Sequence, residues 1–465
     1  MTNGNPPSAR LLRQFLAALD EPAGDGLRID GRGAWASRYA VTDLACASIG
    51  TASLMLARWI DPVRPPPVRL DRRLASWWFG YSLQPQGWTL PKVRDAVTGD
   101  YAARDGWIRI HANAAHHRAR ALRVLGLAPD AARDAVAARV QAGSAQDLED
   151  ALVARGACAA ALRSPAVWNA HPQAVALRSE PLAHRDEGGS AAGAASAGRA
   201  PDGDGPPDPG RPLAGLRVLD LTRVLAGPAC TRFLAAYGAE VLRLDPADWD
   251  EPGMVPEVTV GKRCAALDLR DPAGRAQFER LLARADVLVH GYRPDALDGL
   301  GLGAGARQAI RPGLVDVGLD AWGWTGPWRL RRGFDSLVQM STGIAWAGGL
   351  DRAPDPLPVQ ALDQATGYWM AACVLKGLAD RRARGRGGVW RVSLARTAGL
   401  LASVAPEDAQ EPALGPAPDD AYREEAEATA WGPARRLRPP VRVGAAAWRW
   451  DRPAGPLRAD PPDWR

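Results

Sequence analysis

The sequence predicts an α/β protein, with a parallel-sheet large domain joined to a smaller α+β domain. Three observations predict it. Short apolar runs alternate with helical stretches between residues 216 and 320, the pattern of parallel βαβ units. The stretch 186–212, "DEGGSAAGAASAGRAPDGDGPPDPGRP", has almost no large apolar residues and divides the chain. The half before it combines one long apolar helix with a hairpin and does not repeat the alternation.

At 465 residues the chain is too long for one simple core. The segmentation that follows is an N-terminal extension (1–33), a small α+β domain (34–185), a disordered linker (186–212), a large α/β domain (213–402) and a proline-rich C-terminal segment (403–465).

In the small domain, residues 34–60 read as one apolar-faced helix. "GDYAARDGWIRIHAN" (99–113) reads as a hairpin turning at Arg104-Asp105-Gly106. "AHHRARALRVLGL" and "DLEDALVARGACAAALRS" both read as helical. In the large domain, 216–221 is a strand and 229–238 a helix closed by Gly. Residues 240–245 form the next strand, and 271–285 a helix with Pro in its first turn. "DVLVHGY" and "GLVDVGL" are further strands. The string at 381–394 is a helix end, a glycine turn and a strand. The tail should be mostly extended, with one short helix at most. A site in such a sheet is expected at the carboxyl ends of the strands.

Composition excludes several classes. The net charge of +6 permits an anionic ligand, and no dense Lys/Arg tract marks a nucleic-acid surface. The five cysteines are far apart with no CxxC pair, which argues against a disulfide framework and a structural zinc site. The six histidines show no metal spacing, and His116 and His117, being adjacent, should point to different helix faces. There is no signal-peptide pattern and no apolar run of membrane-spanning length, so a reduced, soluble, cytoplasmic protein is expected. "GLGLGAG" (299–305) follows a helical pattern instead of a strand, so it reads as a turn and not a dinucleotide fingerprint.

Several strand ends carry groups suited to a phosphorylated ligand. "DLTRVLAGPAC" (220–230) runs into a Gly-Pro loop and a helix N-terminus, where backbone N–H groups can meet an anion. Lys262 and Arg263 stand ahead of one short strand, and Tyr292 and Arg293 follow the end of another. A single carboxylate, Asp363 in "QALDQATGYW", precedes the apolar run "YWMAACVLKGLADRR". It is either a helix cap or a nucleophile.

The order of "GLRVLDLTRVLAGP", "YGAEVLRLD", "GKRCAALDLR", "ADVLVHGYRPDALDGLGL", "GWTGPWRLRRGFDSLVQMSTG" and "LPVQALDQATGYWMA…RGRGGVWRVSL" resembles the family III CoA-transferases, the CaiB/BaiF group. The resemblance covers residues 213–400, and 34–185 is similar to that family's small domain. There the large domain comes first, so this chain resembles a permuted member. The resemblance implies a Rossmann-like large domain and a homodimer. It also implies CoA transfer from an acyl-CoA thioester to a carboxylic acid through an aspartyl-CoA intermediate. Coenzyme A is then a substrate, and no cofactor, metal, nucleic acid or membrane is implied.

By the same resemblance Asp363 is the nucleophile, a carboxylate ionised at pH 7 that needs no general base. CoA contacts fall on Val224, Leu225 and Ala226, on Leu267, Asp268, Leu269 and Arg270, on Gly291, Tyr292 and Arg293, and on Arg332. Leu225 stands where the formyl-CoA:oxalate enzymes carry Gln, which argues against an oxalate or formate substrate. The nearest match to a glycine-rich lid is "YSLQPQGW" (81–88). Trp322, Trp324, Trp346 and Trp369 are candidates for setting the acyl pocket. Two alternatives stay open. One is a 2-methylacyl-CoA racemase-like enzyme, although Phe334 replaces the His of the Gly-His-Asp run and cannot relay a proton. The other is a non-catalytic CoA-binding protein.

Overall fold

The computed structural model describes residues 6–22, 26–92, 94–190, 207–406 and 411–465. The elements that position the site are α1 (Val41–Ile60), β1 (His184–Ser190), β2 (Arg217–Leu221), α2 (Ala226–Ala236), β3 (Glu240–Asp245), β4 (Lys262–Ala266), β5 (Val287–His290), β6 (Val315–Asp320), α3 (Asp335–Thr342), α4 (Ala361–Arg384), β7 (Arg386–Ser393) and α5 (Leu394–Ala402).

The seven strands form one sheet in the order β4-β3-β2-β5-β6-β7-β1. Six run parallel, and β1 pairs antiparallel with β7 at one edge. The chain builds outward from β2 to β3 and β4, then returns to the other side of β2 with β5. That reversal leaves a crevice beyond the carboxyl ends of β2 and β5, the Rossmann-like arrangement. The central strands are buried on both faces, as their unbroken apolar runs require.

The 24-residue α4 crosses the core with nearly every residue buried. It ends at Gly385, whose φ of 66° lies in the left-handed region, with Arg381, Arg382 and Arg384 on its last turn. It packs against α2 and along α1. Phe15, from a helix at Pro7–Ala17, packs on Trp369 of α4 with ring centroids 5.0 Å apart.

Several expectations shift at their edges. The helix read over 34–60 starts at Val41, because Ala34 N–H is tied to Pro412 O (3.0 Å) and Trp35 N–H to Thr42 Oγ1 (3.0 Å). The second helix of the small domain stops at Ala154. Gly156, with φ 73°, ends it, and Ala159–Ala161 continues as a strand. Residues 34–185 contribute to two hydrophobic clusters. Residues from Val41 to Phe79 pack with α4 and its neighbours, while a separate cluster gathers Val97 to Ala161.

Of the stretch expected as a linker, 186–190 belong to β1, whose backbone pairs with β7. Residues 191–206 lie outside the described residues. In the tail, Val441–Val443 pairs with Val68–Asp71, and Gly432–Arg436 pairs with Leu83–Pro85. The candidate lid segment is therefore partly a strand, and Ser82 is buried on Glu257 (2.7 Å). Among the described residues no helix is long and apolar enough to cross a membrane.

Candidate active site

The first turn of α4 decides whether Asp363 is a cap. The backbone N–H groups of Leu362 and Asp363 both donate to Asp335 Oδ2, at 2.9 and 3.0 Å. Asp335 is fully buried at the start of α3 and caps α4 from outside, also accepting from Gln339 Nε2. Gln339 Oε1 in turn accepts from Leu357 N–H at 2.8 Å. Asp363 makes no cap bond and lines a cavity of about 350 Å³ at the strand ends. It is 6 % exposed. Burial, and then the Asp335 carboxylate, push its carboxyl well above the usual range. The direction runs against the expectation of a carboxylate that ionises without help from its surroundings.

The loop after β2 forms one wall of the cavity. Val224, a β-branched residue, sits at φ 65°. Its N–H donates to Glu251 Oε2 at 2.8 Å, and Glu251 is held by Arg243 (2.6 Å), which also pairs with Asp245 (2.8 Å). A buried acid therefore ties down the strained residue. Leu225 and Val224 pack with Met254, Val258 and Tyr81, so the candidate lid segment braces the loop from behind. The N-terminus of α2 has no side-chain cap. α4 approaches this loop closely, and a Cβ on Gly367 would lie 2.3 Å from Ala226 O and 2.8 Å from Ala229 Cβ. We expect Gly367→Ala to cost about 2 kcal/mol and to weaken ligand binding by displacing the loop, read by chemical denaturation and by calorimetry with CoA.

The mouth of the cavity is cationic and aromatic. Arg223 lies over Trp249 (4.6 Å) and Tyr292 (5.3 Å), and its Nη2 donates to Tyr292 Oη at 3.2 Å. Arg293 and Arg332 line the same space. Arg332 is half-buried, and among the described residues its guanidinium has no hydrogen-bonding or ion-pair partner. Arg331 is already engaged by Glu149 and by Ala159 O (2.7 Å), and it stacks on Trp328 at 4.0 Å.

The sequence candidates divide. Val224, Leu225, Ala226, Gly291, Tyr292, Arg293, Arg332 and Asp363 line one cavity. Leu267, Asp268, Leu269 and Arg270 do not. They follow β4, where Arg270 pairs with Asp268 at 2.8 Å. Lys262 and Arg263, read as strand-end cations, are spent on the fold. Lys262 Nζ bonds the fully buried Asp220 (2.9 Å) and Pro228 O (3.1 Å), and Arg263 binds carbonyls of the chain end. None of the four candidate tryptophans lines the cavity, whereas Trp249 does. Trp369 packs on Phe15 and Trp322 on Trp328.

Sequence reasoning also separates groups that the fold unites. His116 and His117 both line the cavity, with ring centroids 4.1 Å apart. Phe334 stacks flat on His111 at 3.7 Å and edge-on to His117 at 6.0 Å. Burial lowers His111 and His117 to about 3, so both imidazoles are neutral. The cysteines offer no rival nucleophile. All five are buried, and burial pushes Cys46, Cys158 and Cys264 up to about 12.

A family model described as CoA-transferase family III matches residues 213–433. Succinyl-CoA–D-citramalate CoA-transferase of Chloroflexus aurantiacus is 33% identical over 212 residues, 42% of this chain and 53% of the relative. Succinyl-CoA:glutarate CoA-transferase of Mus musculus is 33% identical over 191 residues, 38% of this chain and 44% of the relative. A probable fatty acyl-CoA transferase of Mycobacterium tuberculosis is 32% identical over 202 residues, 40% and 50% of the two chains. The chain thus spans about half the length of the curated relatives it matches. Among solved structures, Rv3272 from M. tuberculosis aligns at 32% identity with a TM-score of 0.38, over 42% of this chain and 59% of that one. A CaiB/BaiF family protein from Brucella suis aligns at 26% identity with a TM-score of 0.38, over 48% and 65%.

Proposed function

We propose, from the match of residues 213–433 to the model of CoA-transferase family III, that this protein moves CoA from an acyl-CoA thioester to a carboxylic acid with Asp363 as nucleophile. The observation that carries the reading is the freedom of the Asp363 carboxyl. It stands on a rigid helix turn capped by another residue, and it opens into the cavity that holds Arg332 and the Arg223–Tyr292 cluster.

In this reading the ionised Asp363 carboxylate attacks the thioester carbonyl. The C–S bond breaks and leaves a mixed anhydride and CoA thiolate. The thiolate attacks the Asp363 acyl carbon, giving an aspartyl-CoA thioester and the free donor acid. The acceptor carboxylate attacks that thioester and expels the thiolate again, which then takes the new acyl group and restores Asp363. Anhydride and thioester both hydrolyse, and the burial of Asp363 limits water at the reacting atoms. Arg332 supplies an uncommitted positive charge for the CoA phosphates. The five buried free cysteines suit a reducing, cytoplasmic setting.

Incubating the protein with an acyl-CoA panel and measuring its intact mass and peptides tests the reading. CoA attached at Asp363 is the expected result. Solvent deuterium entering the α-carbon of the acyl group with no adduct would replace transfer by racemisation. CoA binding with every thioester left intact would leave only the binding reading. Arg332→Ala should weaken CoA binding by about 10–100-fold, the range for a lost charge-assisted contact, as read by calorimetry.

A further inference from the structure

A second cavity, of about 580 Å³, shares no lining residue with the first. It borders the three-stranded sheet of Leu27–Asp30, Val68–Asp71 and Val441–Val443. Three arginines stand in register across that sheet. Arg28 is opposite Arg69 in the parallel pair, and Arg69 is opposite Arg442 in the antiparallel pair. All three are exposed, while Val68, Leu70, Val441 and Val443 are buried, so the arginines form one row on the outer face. Directly opposite residues hold their Cβ atoms about 4.5–5.5 Å apart, and like charges so placed destabilise a sheet. Asp30 neutralises Arg28 at 2.7 Å. Arg69 and Arg442 both line the cavity, and among the described residues neither guanidinium has an ion-pair or hydrogen-bond partner. Arg438 lines it too and is equally unpaired, on a backbone fixed by Ala421 O (2.8 Å) and Trp78 Nε1 (2.7 Å). The remaining carboxylate, Asp71, spends its Oδ1 on the N–H groups of Arg73 and Leu74 as the cap of Arg72–Trp78. Three unpaired cations thus face one committed carboxylate, an excess that a dianion balances. Edge strands carry charge to deter pairing with other chains, but Arg69 is on the middle strand, where that purpose does not apply.

We propose that Arg69, Arg442 and Arg438 form a second anion site, which binds a phosphate-bearing dianion and is independent of the transfer reading above. Guanidinium forks match phosphate oxygens bidentately, and two arginines directly opposite each other grip one phosphoryl group from both sides. A cavity of this volume suits a small ligand. The bound dianion converts the repulsion between Val68–Asp71 and Val441–Val443 into attraction, so it ties an early strand of the chain to a late one. Binding then stabilises the fold by mass action. The phosphate belongs either to a soluble ester or to a lipid headgroup, which present the same chemistry to the arginines.

The test uses full-length Arg332→Ala protein, to weaken phosphate binding in the catalytic cavity, with pyrophosphate as the probe. Calorimetry should show saturable binding, and the melting temperature should rise with pyrophosphate concentration. Adding Arg69→Gln or Arg442→Gln should each weaken that binding by about tenfold or more. Arg28→Gln, whose arginine already has a partner, should change it by less than about threefold. Arg442→Glu should abolish it, yet melt higher than the parent in anion-free buffer, because an opposite charge then faces Arg69. Co-sedimentation with phosphatidylcholine vesicles containing phosphatidic acid separates the two sources. Pelleting that the Gln variants lose assigns the phosphate to a lipid headgroup, and pyrophosphate binding without pelleting assigns it to a soluble ester. The absence of Gln-sensitive binding in both arms overturns the proposal. A lower melting temperature for Arg442→Glu overturns the repulsion on which it rests.

Discussion

Asp363→Ala is expected to lower kcat for CoA transfer by about a thousandfold or more, while CoA affinity stays within about threefold. The cysteines are buried thiols, and His111 and His117 are tightly packed neutral imidazoles, so none of these replaces it. The same residue should govern the pH dependence. Its carboxyl is raised by burial first and by Asp335 second, and only the ionised form attacks. kcat/KM should therefore climb with pH through a value well above the ordinary carboxylate range. Stability should move the other way. The native state keeps this proton to higher pH than the unfolded chain, whose Asp titrates near about 3.9. The contribution is fully present below that value and is lost as pH rises through the native one. Asp363→Asn should accordingly gain more melting temperature at pH 8 than at pH 4. Equal shifts at both pH values would contradict the assignment.

The second large effect is expected at Asp335. Asp335→Ala leaves the N–H groups of Leu362 and Asp363, and Gln339 Nε2, without their acceptor in a buried place. Loss of a cap costs about 1 kcal/mol, and each stranded buried donor adds about 1–3 kcal/mol. With three donors stranded, a loss of at least about 4 kcal/mol should appear in urea unfolding. Asp335→Asn separates structure from electrostatics. It keeps one acceptor oxygen but loses the charge that helps raise Asp363. The acid limb of kcat/KM should then move to lower pH. An unchanged limb would mean that burial alone sets the Asp363 carboxyl.

These two carboxylates mark what the sequence can and cannot disclose. The parallel strands are legible because each is an unbroken apolar run between turn signals, and buried parallel strands leave that trace. Asp363 is legible as a lone acid before a long apolar helix. Its capping partner is not, since Asp335 is 28 positions away and only the packing of α3 against α4 brings it there. Lys262 misleads for a related reason. A strand-end cation looks available until Asp220, 42 residues earlier, is found beneath it. Helical geometry alone sets the adjacent histidines on different faces, but they sit where the chain enters a helix at Ala115, and both face the cavity. Val224 gives no signal at all, because a strained φ is written in no residue type.

The pairing of α1 with α4 bears on how the chain comes off the ribosome. α1 is buried along almost its whole length, and the helix that covers it starts roughly 300 residues later. At roughly 5–20 residues per second, an emerging α1 waits on the order of 15–60 s for that cover. Strand Val68–Asp71 waits longer still for Val441–Val443. During that interval the nascent N-terminal half exposes a nearly continuous apolar cylinder, so its yield in the cell depends on what shields it before translation ends.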